Sequence, residues 1–311
     1  MKHIKNNFLI FSFLALTISS PAFASGAKLP LLDLGNGTTT TGTDTPVPGT
    51  PTSGTGSNTT PTPTSGAYAD AITQMAGSST CASYSWASRG KAPAGYIKGV
   101  ALSFARSICR TKNQSALSKI MSAANSGNTT KDAVAYYDST FASLPIVTSS
   151  AGLEPLRALY TLGMGLGMRE SSGVYCEGWD RSAGSNRSSA AGEAGLFQTS
   201  YDSIGLSAEL SKLYAEYQAN PGKCMLDVFK QGASCSSLSN LGTGAGATYQ
   251  AFNKACPAFA TEYAMTMLRI SRSHYGPIIR KEAQVVPACN NLLKSVQDMV
   301  TKDPYACDDL I

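Results

Sequence analysis

Beyond residue 66 apolar side chains recur at helical spacing almost throughout, and no run keeps a two-residue alternation. Ile97, Val100, Ala101, Phe104, Ala105 and Ile108 trace one helical face; Ile204, Leu206, Leu210, Leu213 and Tyr217 trace another. Residues 158–168, ALYTLGMGLGM, carry no charge and almost no polar side chain. A helix of that composition must be buried on most sides. Pro257 after Cys256, and Pro287 before Cys289, suit first helical turns, the second opening what reads as the last helix. The pattern predicts an all-α fold over 67–311, in one sizeable helical domain or a core with an amino-terminal helical subdomain.

The uncharged helix contains two features that change this picture. Gly163, Gly165 and Gly167 each cost about 1 kcal/mol relative to alanine, so something must approach closely there, either another helix or a substrate. Leu159, Leu162 and Leu166 form a stripe, and Glu170 lies four residues beyond Leu166 on the same face. Gly173 reads as the stop signal, which puts Glu170 in the last turn. There the negative end of the helix dipole and apolar walls both favour the protonated carboxyl. Arg169 points elsewhere on the helix and need not neutralise it. The plainer alternative is a solvated glutamate at a frayed helix end.

Composition sets the context for that acid. Residues 1–24 read as an export signal: Lys2 and Lys5, an apolar stretch over 8–18, then Ala22-Phe23-Ala24 before Ser25. The stretch is short for a bilayer span and no cysteine follows the expected cleavage point, so neither a stable membrane anchor nor a lipoprotein is expected, and the mature chain should be periplasmic or extracellular. Residues 35–66 are nearly all Thr, Gly, Pro, Ser and Asn, a disordered linker reaching about 30 Å. Before it, the short segment 25–34 bears Leu29, Leu31, Leu32 and Leu34, either a docking stretch or spacer.

Removing the signal lowers the formal charge from +5 to +3, with no dense basic block, so nucleic-acid binding gets little support. The eight cysteines all follow the linker and read as up to four disulfides, in any of 105 pairings. With no Cys-x-x-Cys spacing and only His3 and His274, a zinc site is not expected, nor any other metal or cofactor. A Cys176/His274 thiol dyad is possible on residue types, but the even cysteine set favours a disulfide that ties the loop after Glu170 to the body of the domain.

That loop carries Glu177 and Asp180 and runs through a Ser/Ala/Gly/Asn-rich stretch to Glu193; it suits the wall of a cleft. Tyr175, Trp179 and Tyr201 offer flat faces for stacking against a ligand ring, or are core-edge aromatics that need no ligand. Glu170-Ser171 after an apolar helix, an acidic loop, and then Gly195-Leu196-Phe197-Gln198 together resemble the lysozyme-like superfamily of goose-type lysozymes and soluble lytic transglycosylases. The match covers roughly 159–203. It departs in having Phe197 where methionine is usual, and in a long loop before Glu193.

The resemblance implies a lysozyme-like helical domain in which Glu170 is the general acid and the turn Gly195, Leu196, Phe197, Gln198 lines the cleft opposite it. Ser171 belongs to the same motif, and Gln198 would bond sugar or acetamido groups. Asp180 is the better match to the water-positioning acid, Glu193 an equal contender, with Asp202 following the glutamine; Tyr275 is the late tyrosine near the cleft. The expected partner is the peptidoglycan glycan strand, cut at the β-1,4 bond between N-acetylmuramic acid and N-acetylglucosamine. The rivals are a chitinase- or chitosanase-like hydrolase and a non-catalytic wall-binding protein.

Overall fold

The computed structural model describes residues 66–181, 184, 186–236, 238–303 and 305–310. The expected export signal, the segment 25–34 and the linker up to residue 65 lie outside them. Within the unit Thr60–Ile311 the described chain is helix-rich. The longer helices are α1 (Ala67–Ser78), α2 (Ala94–Lys112), α3 (Leu153–Ser171), α4 (Ala208–Ala219), α5 (Gly244–Ala255), α6 (Pro257–Ile270) and α7 (Pro287–Lys302). The described strands, Ser85–Trp86 and Gly90–Lys91, form a minimal antiparallel hairpin with Ser85 opposite Lys91. Its turn needs left-handed backbone at Ser88 and Gly90, which the Ser-Arg-Gly sequence tolerates.

Helices α2, α3 and α6 form the centre. In α2 every residue from Gly95 to Cys109 except Lys98 is buried, and in α6 every residue from Pro257 to Arg269. The face expected on α2 is therefore only part of its contact surface: Leu102, Ser103 and Ser107 on the other sides are covered as well. The later face breaks up. Ile204 and Leu206 belong to a separate 3-10 turn, Tyr201–Leu206, and Leu206 is 54 % exposed; only Leu210, Leu213 and Tyr217 continue inward on α4. Ser207 explains the break, because its side chain accepts from the Glu209 N–H and starts a new helix there. Pro287 opens α7 as expected, but α7 is not last: Ala306–Leu310 forms a further short helix.

Helix α3 is buried from Pro155 through Met168. Its glycines answer the question of what approaches it: protein does, from three directions. A Cβ on Gly163 would sit 2.3 Å from Met265 Cε, one on Gly165 2.1 Å from the Gln284 carbonyl oxygen, and one on Gly167 2.4 Å from the Tyr96 hydroxyl. The cysteines pair as Cys81–Cys289, Cys109–Cys307, Cys176–Cys235 and Cys224–Cys256. Such a set is compatible with an exported protein, and it removes Cys176 as a nucleophile. Among the described residues no helix is long and apolar enough to cross a membrane.

Two outcomes test this packing. Gly165→Ala meets backbone rather than a yielding side chain, so it should destabilise by about 1–3 kcal/mol in spite of alanine's better helix propensity; a melting temperature equal to or above wild type would contradict the contact. Cys81→Ser with Cys289→Ser opens a cross-link between residues 208 apart and should cost about 2–5 kcal/mol. Thermal melts, with peptide mapping of the four pairs, check both the cost and the connectivity.

Candidate functional site

Glu170 is placed by the way α3 ends. Ser172 takes left-handed backbone (φ 56°) and Gly173 follows at φ 75°, with the Ser172 N–H on the Met168 carbonyl and the Gly173 N–H on that of Gly167. Gly173 thus takes part in the stop as expected, with Ser172 sharing it. Gly173 also supplies clearance, since a Cβ there would meet the Tyr96 ring at 2.9 Å. Arg169, one residue before the acid, turns away to Glu282 (2.9 Å) as its helical position requires.

The turn after the loop is fastened to this helix end. Ser171 Oγ donates to the Leu196 carbonyl at 2.8 Å and to Gly167 at 3.1 Å. Ala194 and Thr199 form an isolated antiparallel bridge, and Gly195 (φ 81°) and Gln198 (φ 45°) turn the chain between them. From beneath, Asn253 Nδ2 on α5 donates to the Ala194 carbonyl (2.6 Å) and to Thr199 Oγ1 (2.9 Å), and Thr199 meets the Tyr249 hydroxyl at 2.9 Å. Leu196 and Phe197 are fully buried, Phe197 against Gly167 of α3. Their expected place on the cleft surface is corrected: they are core, because the turn directs its apolar pair into the helix it caps.

The acidic loop lies alongside. The Asp180 N–H donates to the Glu193 carbonyl (3.2 Å), the Gly195 N–H to that of Glu177 (2.9 Å) and the Trp179 N–H to that of Ser239 (3.3 Å). Cys176–Cys235 ties the loop covalently to the segment after residue 234. These ties gather Glu170, Glu177, Trp179, Asp180, Glu193 and Gln198 around one open cleft of about 820 Å³. Arg89 from the hairpin turn, Arg169, Arg181, Arg280 and Glu282 line it as well.

Other expected site residues fall outside this cleft. Ser171 is consumed as the latch just described. Tyr175 lines a separate, smaller hollow of about 400 Å³ with Cys176, Cys235, Leu226, Leu238 and Lys254. Tyr201 packs edge-on against Tyr249 at 6.1 Å, and Asp202 is exposed beside it. Tyr275 is fully buried behind the acids, edge-on to His274. Gly195 shapes the turn with its backbone and has Asn253 where a Cβ would be. Gln198 does line the cleft, but its Nε2 already serves the Gly178 and Gly195 carbonyls; its Oε1 is buried without a protein partner.

The electrostatics separate the carboxyls. Burial, first, and then the charge of Glu193 push the Glu170 carboxyl up to about 8; Asp180 adds to the rise, while Arg89 and Arg280 oppose it. Burial also raises Glu193 and Glu177, Asp180 adding to the first and Arg89 opposing the second. At neutral pH Glu170 is therefore a proton donor at the edge of a polar cleft. His274 stands behind Glu193, its Nε2 3.8 Å from Oε1; burial lowers its basicity although it bonds the Gln198 backbone. Glu282 is held down to about 2 by hydrogen bonds from Arg280 and Arg169.

Local motif reading could not reach Arg89, Arg280 or Asn253 as site residues, since each arrives from a distant element with no spacing signature, and it raised His274 only as a partner for Cys176. Among the described residues no group of three or more His, Cys, Asp or Glu side chains could hold a metal ion. No protein family, curated protein or solved structure matches the chain.

The Glu170 titration has a stability consequence with a definite sign. The folded chain holds this proton from pH 4.5 up to about 8 whereas the unfolded chain releases it, so Glu170's contribution is fully present below pH 4.5 and is lost as pH rises toward 8. Glu170→Gln should melt close to wild type at pH 4 and become progressively more stable relative to it toward pH 8, by at most about 1.4 kcal/mol per pH unit. A difference that does not change with pH would refute the raised carboxyl, as would a carbonyl ¹³C titration of Glu170 with its midpoint near 4.5.

Proposed function

We propose that this chain is an exported, lysozyme-like enzyme that cleaves the β-1,4 bond between N-acetylmuramic acid and N-acetylglucosamine in peptidoglycan, with Glu170 as general acid. The observation that carries the reading is a carboxyl kept protonated at neutral pH, its acidity lowered by burial, beside further carboxyls in a cleft open enough for a polymer. The sequence resemblance around 159–203 points the same way, and the helix-rich, disulfide-linked domain is consistent with it.

Glycosidic bond cleavage needs a proton delivered to the leaving oxygen as the bond to the anomeric carbon breaks. Glu170 supplies that proton from the end of α3. Glu193 is the better supported second acid: its charge is the strongest of those acting on Glu170, and its chain position is fixed by the pairing with the 177–180 loop. Asp180, favoured by the resemblance, lies on the same wall and acts on both. Where one of these carboxylates takes a proton from water attacking the anomeric carbon, the product is a hydrolysed sugar; where the muramyl 6-hydroxyl attacks instead, the product is an internal anhydro sugar one water lighter. Trp179 is the aromatic face available for stacking in the cleft.

Glu170→Gln keeps shape and neutrality but removes the proton, and should lower turnover of purified peptidoglycan by about 10²–10⁴-fold with the fold intact. Turbidity loss and mass spectrometry of the released fragments measure it and distinguish the two products. Equal activity of variant and wild type, or cleavage of chitin in place of peptidoglycan, would overturn the assignment.

A further inference from the structure

The cleft is divided by charge. The loop contributes Glu177, Asp180 and Glu193 together with Arg181; the hairpin turn, the end of α3 and the segment after Pro277 contribute Arg89, Arg169 and Arg280, which share a single carboxylate, Glu282. That carboxylate is spanned by both neighbours, Arg280 at 2.8 and 3.0 Å and Arg169 at 2.9 Å. Arg89 is held by the carbonyl of Arg169, at the end of α3, instead of by a carboxylate. Three guanidiniums against one acid leave this group with an excess of positive charge, whereas the loop sets three acids against Arg181; Arg89 and Arg280 also both act on Glu170.

Resting on the function proposed above, we infer that Arg89, Arg280 and Arg169 form a subsite for a carboxylate carried by the glycan, next to the bond that Glu170 cleaves. A guanidinium presents a planar fork that matches a carboxylate with two parallel bonds. The acidic loop repels the same group, so the two together fix which way a strand with one anionic edge lies. A polymer of N-acetylglucosamine is uncharged and satisfies neither. A muramyl strand brings a carboxylate in one of two forms: the free lactyl group of a peptide-stripped sugar, or the carboxylates of the attached peptide.

The full chain carrying Glu170→Gln, which binds without turnover, is titrated calorimetrically with three probes: a peptide-bearing muramyl tetrasaccharide, the same tetrasaccharide stripped to its lactyl carboxylates, and chitotetraose. At least one carboxylate-bearing probe should bind more tightly than chitotetraose, and added salt should shrink that margin. Tight binding of the stripped probe assigns the lactyl group; tight binding of the peptide-bearing probe alone assigns the peptide. Adding Arg89→Gln should cut the margin about tenfold or more. Adding Glu282→Gln, which frees Arg169 and Arg280, should widen it, and this opposite sign keeps the test decisive if the first variant folds poorly. Equal affinity for the three probes, or a margin unmoved by both variants, overturns the subsite while leaving the glycan reading intact; failure to bind any of them overturns both.

Discussion

The close approach of other chain segments to the backbone of α3 is the constraint on which the rest of the structure depends. A helix without charge can be enclosed on every side only if its neighbours reach its surface, and Gly163, Gly165 and Gly167 let Met265, the Gln284 backbone and Tyr96 do so. Each glycine costs helix propensity, about 1 kcal/mol, which buried contact must offset. The enclosure also fixes where the helix can end. Tyr96, bonded to the Met164 carbonyl at 2.7 Å, and Phe197 occupy the space over Gly167, and the chain leaves by the left-handed pair Ser172 and Gly173. Glu170 thus reaches the cleft from the end of a packed helix, with its side chain part-buried.

That packing gives the acid its character. A glutamate on a loose helix end would relax toward solvent and titrate normally; one held by a packed helix experiences burial and its acidic neighbours together. Arg89 and Arg280 are near enough to oppose the shift but do not cancel it, because Arg280 is committed to Glu282 and Arg89 to the carbonyl of Arg169. Arginines that could have neutralised Glu170 are kept partly occupied, so the cleft combines strong cations with a protonated carboxyl.

The helical class, the burial of α3 and the position of Glu170 were legible in the sequence because each rests on local periodicity or composition. The uncharged run 158–168, the leucine stripe and the two prolines opening α6 and α7 needed no knowledge of partners. The motif Gly195 to Gln198 was legible as a feature but not in its orientation: the same four residues could face a ligand or the core, and Leu196 and Phe197 face the core since α3 lies directly behind them. Tyr175 and Tyr201 show the same limit, for an aromatic near an acid in sequence can line a separate hollow or sit against another tyrosine. The arginine wall was invisible because it joins a hairpin turn, a helix end and a segment more than one hundred residues further along.

The loop bearing Glu177, Asp180 and Glu193 presents a different physical problem from α3. Its Ser, Ala, Gly and Asn side chains bury little apolar surface, so packing cannot hold three carboxyls together against their mutual repulsion. Backbone pairing contributes, through Asp180 to Glu193, Gly195 to Glu177 and Trp179 to Ser239, and Cys176–Cys235 adds a covalent tie to the segment after residue 234. The α3 end of the cleft is therefore set by packing, and the stretch carrying Glu177, Asp180 and Glu193 by a covalent tie together with backbone bonds. Freedom to move is therefore concentrated in the acidic loop, whereas the helix that carries Glu170 is held by its buried contacts.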